Sequence, residues 1–131
     1  MTKSELSATH TLGAFNPVDY AVLACADDSA TDKARQALLQ AGFADADVLT
    51  YTSRELFPDV EEMMRNASGA AGFGYEIVLM RRYMTLASEG CGWLAVYCPE
   101  DAQTGQVQEV ARRLGVKSAV RYGRLASEDL I

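Results

Sequence analysis

The chain has 131 residues, 49% of them hydrophobic and 23% charged, and 18 acidic against 12 basic side chains leave a net charge of −6 at pH 7. This length fits one domain around one core, and the composition excludes a disordered, collagen-like or disulfide-scaffold chain. An acidic chain without a basic run is also a poor partner for nucleic acid or for an anionic membrane.

Residues 1–17 read as a polar N-terminal arm, and residues 18–131 as a single α/β domain. The arm lacks the apolar segment of a secretory signal, and no apolar stretch is long enough to cross a bilayer. The three cysteines, Cys25, Cys91 and Cys98, are odd in number and show no metal-ligand spacing, with His10 the one histidine. Free thiols in a cytoplasmic protein, without a structural metal, are the expectation.

Tyr20–Cys25 is a short, nearly continuous apolar run, which predicts a buried central strand. Ser29 and Asp32 have capping-box spacing, so a helix is expected from Ser29, with Ala30, Ala34, Ala37, Leu38 and Ala41 at helical period and Gly42 as its stop. Asp47–Thr52 predicts a second, more polar strand near an edge. A helical insert spans about residues 53–90. Within it, Ser53 caps a turn, Pro58 opens a helix to about Ala67, and Tyr75–Glu89 forms a stronger one. Ile77, Met80, Met84, Ala87 and Cys91 make one stripe of that helix, with Leu79, Tyr83 and Leu86 beside it. Trp93–Cys98 predicts another buried strand. A helix follows from Glu100 and Asp101, with Val107, Val110, Ala111 and Leu114 as core stripe and Gly115 as stop. Lys117–Tyr122 is the last strand, and the tail, with Leu125, Leu130 and Ile131, is expected to dock.

A shift of 73 residues lays Cys25 on Cys98, Asp27 on Glu100, Ala34 on Val107, Ala37 on Val110 and Gly42 on Gly115. The chain is therefore βαβ, insert, βαβ. The preferred fold is an α+β, ferredoxin-like split βαβ sandwich with a four-stranded antiparallel sheet in order 4-1-3-2 and its helices on one face. The alternative is a small doubly wound α/β sheet with helices on both faces. Only the antiparallel form puts Cys25 and Cys98 at opposite ends of the sheet.

Side chains alternate along a strand. Tyr20, Val22 and Ala24 then share a face with Trp93, Ala95 and Tyr97, while the other face is aliphatic. In a one-sided sheet the aromatic face is left open, and Tyr20, Trp93 and Tyr97 become interface candidates for a homodimer. Base stacking on such a face is the reading of an RNA-binding sheet, but the net charge and the absence of an RNP-like segment oppose it.

Gly69–Gly74 opens directly onto the Tyr75 helix, where free N–H groups and the helix dipole favour an anion. Arg81 and Arg82 follow on that helix. A small-molecule or anion site would therefore use Gly72, Gly74, Tyr75, Arg81 and Arg82. The plainer alternatives are a tight helix connection and a solvated helix face, because the glycines follow a helix rather than a strand and no P-loop lysine is present. No residue stands out as catalytic and no cofactor is implied. Cys91 ends a helix, where the dipole disfavours a thiolate, and the acidic pairs Asp27/Asp28 and Glu100/Asp101 suit helix caps better than a catalytic dyad.

Leu38–Val48 followed by Ser53–Leu56, together with Tyr83, the strand Gly92–Tyr97 and the ending Tyr122-Gly-Arg with Glu128–Leu130, resembles bacterial general stress protein domains of the heat-induced type. The resemblance covers most of residues 18–130 in outline. It implies a small cytoplasmic βαβ domain with no established reaction, and Gly69–Tyr83 departs from the glycine-rich spacer usual in that family. The function expected is that of a non-enzymatic, self-associating domain linked to stress.

Overall fold

The structure, a computed structural model, describes residues 18–52, 74–123 and 127–131, with the backbone alone for residues 74–80. The N-terminal arm, the Ser53 cap, the Pro58–Ala67 helix and Gly72 lie outside the described residues. Those described form β1 (Tyr20–Cys25), α1 (Asp28–Gln40), a 3-10 turn (Asp45–Asp47), β2 (Val48–Tyr51), α2 (Gly74–Ser88), β3 (Gly92–Tyr97), α3 (Asp101–Leu114), β4 (Ser118–Tyr122) and β5 (Ser127–Asp129).

All the strands join one sheet in the order β2-β3-β1-β4-β5, and every neighbouring pair is antiparallel. This excludes the doubly wound parallel alternative. It also corrects the strand count from four to five, because the tail supplies β5 beside β4. Tyr20 pairs with Tyr97 and Cys25 with Gly92, so Cys25 and Cys98 stand at opposite ends of the sheet. The two central strands are the apolar runs of the sequence. All six residues of β1 and five of the six in β3 are buried.

Each repeat helix is started by an acidic residue and stopped by a glycine. The cap of α1 lies two residues earlier than expected: Asp27 takes the place of Ser29, and its carboxylate accepts from Ala30 N at 2.7 Å. At the equivalent position Glu100 caps α3, and its N–H donates to Gln103 Oε1 at 3.1 Å. Gly115 ends α3 in the left-handed region, with φ of 63°. Leu114, expected in the core stripe, is exposed. It is the last helical residue, and Val116 beyond the glycine packs onto the core in its place.

The repeat helices share one face. Ala34 and Leu38 of α1 and Val107, Val110 and Ala111 of α3 pack on Ala21, Leu23, Cys25, Leu94 and Val96. The insert helix α2 takes the other face, where Tyr83, Leu86 and Ala87 pack on Tyr20, Val22, Ala24, Trp93 and Ala95. The aromatic face is therefore closed by this chain's own helix. A helix with two apolar stripes can bury both only against a broad apolar surface, and this face offers one.

Gly92 marks where the second repeat meets the first. A Cβ there would collide with Thr31 Oγ1, stand 2.8 Å from Asp28 Oδ1 and 3.2 Å from the Asp27 carbonyl. Thr31 cannot give way easily, since it is buried and its hydroxyl donates to Asp27 O at 2.9 Å. Gly105, inside α3, faces open space. The same substitution should thus have opposite signs at the two glycines in urea denaturation. Gly92→Ala is expected to destabilise by about 1–3 kcal/mol through overpacking. Gly105→Ala is expected to stabilise by about 0.5–1 kcal/mol through helix propensity.

Candidate functional site

The layer between the sheet and α2 gathers most of the aromatic side chains. Alternation along the strands puts Tyr20 of β1, Tyr51 of β2, Trp93 and Tyr97 of β3 and Tyr122 of β4 on this face, and Tyr83 descends on them from α2. Tyr83 meets Trp93 edge to face, with centroids 5.2 Å apart and planes at 74°. Tyr20 and Tyr97 are 5.3 Å apart and tilted by 52°. The Tyr83 and Tyr122 hydroxyls are 3.0 Å apart and hydrogen-bonded. Such contacts add about 0.5–1.5 kcal/mol each beyond area burial.

Of the three interface candidates, Tyr20 and Trp93 are buried within the chain at 3% and 0% exposure, and only Tyr97 reaches the surface, at 37%. Among the described residues neither Trp93 Nε1 nor Ser118 Oγ has a hydrogen-bond partner, and both side chains flank Ala24 in one row across the sheet.

The proposed anion residues are not brought together as a set. Gly74 and Tyr75 lie in the first turn of α2, so the glycine run does lead straight into a helix N-terminus. Arg81 and Arg82 sit about two turns further on and are exposed. Arg82 is engaged: its guanidinium donates to Asp129 Oδ1 of β5 at 3.0 Å. That partner lies 47 positions away in the sequence.

The tail carries more than this ion pair. Leu130 N donates to Ala119 O at 2.8 Å, Gln108 Nε2 of α3 donates to Leu130 O at 2.7 Å, and the Leu130 side chain is buried on the α1/α3 face. The last residues thus clasp α2 on one side of the sheet and α3 on the other. Sequence reading found the docking of Leu130 but not the role of Asp129, because a Ser-Glu-Asp strand has no apolar alternation to detect.

Arg121 was also missed. Its Nε donates to Cys98 O at 3.2 Å, and its Nη2 lies 3.4 Å from both Pro99 O and Asp19 Oδ1. Asp19 has a φ of 69°, and its N–H donates to Tyr122 O while its carbonyl accepts from Cys98 N. Aspartate tolerates the left-handed region better than most residues, so this corner holds the ends of three strands at little strain.

All three thiols are free and buried. Burial pushes Cys25 up to about 11, against a weaker opposing hydrogen bond from Thr31. Burial raises Cys91 as well, helped by Glu89, and raises Cys98 against Thr104 and Arg121. A nucleophilic cysteine needs the opposite shift. Among the described residues, no group of three His, Cys, Asp or Glu side chains is placed to hold a metal. A shallow groove of about 390 Å³ on the outer side of α1 is lined by Asp32, Lys33, Gln36, Ala37 and Gln40, all on one helix. Comparison with protein-family models, with curated proteins and with solved structures finds no match to this chain.

Two measurements check this picture. The folded state holds its Cys25 proton up to about pH 11, whereas the unfolded thiol loses it near 9.0. The native state therefore binds more protons in that window, and stability falls as pH rises from 9 towards 11. Urea denaturation of the wild type minus that of Cys25→Ala should isolate this decline, on the order of 2–3 kcal/mol across the window. In the tail, Leu130→Ala should cost about 2–4 kcal/mol in the same assay. Arg82→Ala, which removes a half-exposed ion pair, should cost under about 1 kcal/mol.

Proposed function

We propose that this chain is a non-catalytic association module of ferredoxin-like strand order that works as a homodimer in the cytoplasm. The first four strands, read from the other side of the sheet, run 4-1-3-2, which supports the ferredoxin-like reading. Among the described residues the thiols are buried with raised pKa values, Arg82 holds the tail, and Arg121 holds the strand ends. That supports a role in association rather than in turnover.

The observation that carries the proposal is the difference between the two sheet edges. β5 is three residues long and acidic, with Glu128 and Asp129 exposed, which is how natural proteins guard an edge. β2, at the other end of the described strand order, carries Val-Leu-Thr-Tyr, with neither charge nor proline. Uncharged strand residues favour association more than an acidic strand does. With both faces of the sheet covered, the edge replaces the aromatic face as the place of assembly. The resemblance to heat-induced general stress domains supports a stress-related role for the module.

Sedimentation velocity tests this directly. A monomer–dimer equilibrium that moves to dimer with concentration is the expected result. A strict monomer at the highest soluble concentration contradicts it.

A further inference from the structure

Trp93 and Ser118 stand on either side of β1, on the face that α2 covers. Ala24 pairs with Trp93 of β3 and with Ser118 of β4, so the three side chains form one row across the sheet. None of the three is more than 3% exposed. Among the described residues, Trp93 Nε1 and Ser118 Oγ are both without a hydrogen-bond partner. A buried polar atom left in that condition costs stability, and two such atoms flanking the smallest side chain of a row share one remedy. We infer that a single water molecule sits above Ala24 and bridges Trp93 Nε1 to Ser118 Oγ, linking β3 to β4 over β1.

The chemistry of the two atoms selects the guest. An indole N–H can only donate, whereas a hydroxyl donates one bond and accepts others. The guest must therefore accept from Trp93 and share a second bond with Ser118. Water does both, with a lone pair towards the indole and either a hydrogen or its other lone pair towards the hydroxyl. An anion could accept from both groups as well. However, the buried residues described on this face include no charged group, and an unpaired buried charge costs far more than a neutral guest.

Size points the same way. Neighbouring strands lie about 4.8 Å apart, which sets the backbones of β3 and β4 about 9.6 Å apart across Ala24. The short Ser118 side chain cannot cross that interval, so an intervening atom is needed. With the row closed to solvent, the space suits a guest no larger than water. Globular proteins hold about one buried water per 27 residues, so a chain of 131 is expected to contain such sites. The bridge lies inside one copy and does not depend on self-association.

Two measurements test it. A high-resolution crystal structure of the wild type is expected to show density for one water within hydrogen-bond distance of both Trp93 Nε1 and Ser118 Oγ. Ser118→Ala then gives the energetic sign in urea denaturation. If the hydroxyl holds the water, its removal leaves the bridge short of a bond, and the urea midpoint falls. If the hydroxyl bonds to nothing, its removal relieves a desolvated group, and the midpoint stays or rises. The bridge is overturned by density that shows no water bonded to both atoms, or a protein acceptor on the indole N–H. A Ser118→Ala midpoint that is unchanged or raised overturns it equally.

Discussion

The antiparallel pairing of β1 with β3 is the constraint on which everything else in this chain depends. Six residue pairs, from Tyr20 with Tyr97 to Cys25 with Gly92, fix which side chains look to which face. A slip of one residue by β3 would carry Trp93 to the α1/α3 side and Leu94 to the α2 side, out of step with Tyr20 and Leu23 of β1. In the register observed, small and aliphatic residues meet the two repeat helices and the aromatic ones meet α2. Gly92 fixes one end of that pairing by its close approach to Thr31 and Asp28, and Asp19 with Arg121 fixes the other.

Closing both faces has consequences for function. A sheet covered on one side by helices leaves a platform on which a partner or a ligand can settle. Here α2 occupies that platform, and Tyr83 fills the place over Trp93 that a base or a partner's side chain would take. The tail then ties the layers together by bonding to β4, α2 and α3 at once. Of the two ends of the described strand order, the tail closes one with acidic residues.

The repeat was legible in the sequence because each of its signals is local. Apolar runs name the central strands, an acidic residue before each helix names its start, and a glycine names its end. The duplication was compatible with two sheet orders, and the antiparallel pairing of β1 with β3 is what the structure adds. The face taken by α2 was not legible, since a helix with two apolar stripes announces broad burial without saying against which side of the sheet. Tyr20 and Trp93 were accordingly read as surface when they are core. β5 was invisible for a different reason: it is polar, and it exists through backbone bonds to β4 and through the anchoring of Leu130. The contacts Arg82–Asp129 and Arg121–Asp19 link residues 47 and 102 positions apart, separations at which no sequence periodicity speaks.

The central claim is that the aromatic face is sealed within a single copy. Trp93 is the one tryptophan of the chain and lies under α2. Its fluorescence therefore reports on that seal alone. Collisional quenching by acrylamide should be measured at a dilution where sedimentation shows only monomer. The account expects blue-shifted emission and almost no quenching, unchanged when the concentration is raised. Emission that is freely quenched in the monomer and becomes protected on association would mean that a second copy, not α2, covers this face.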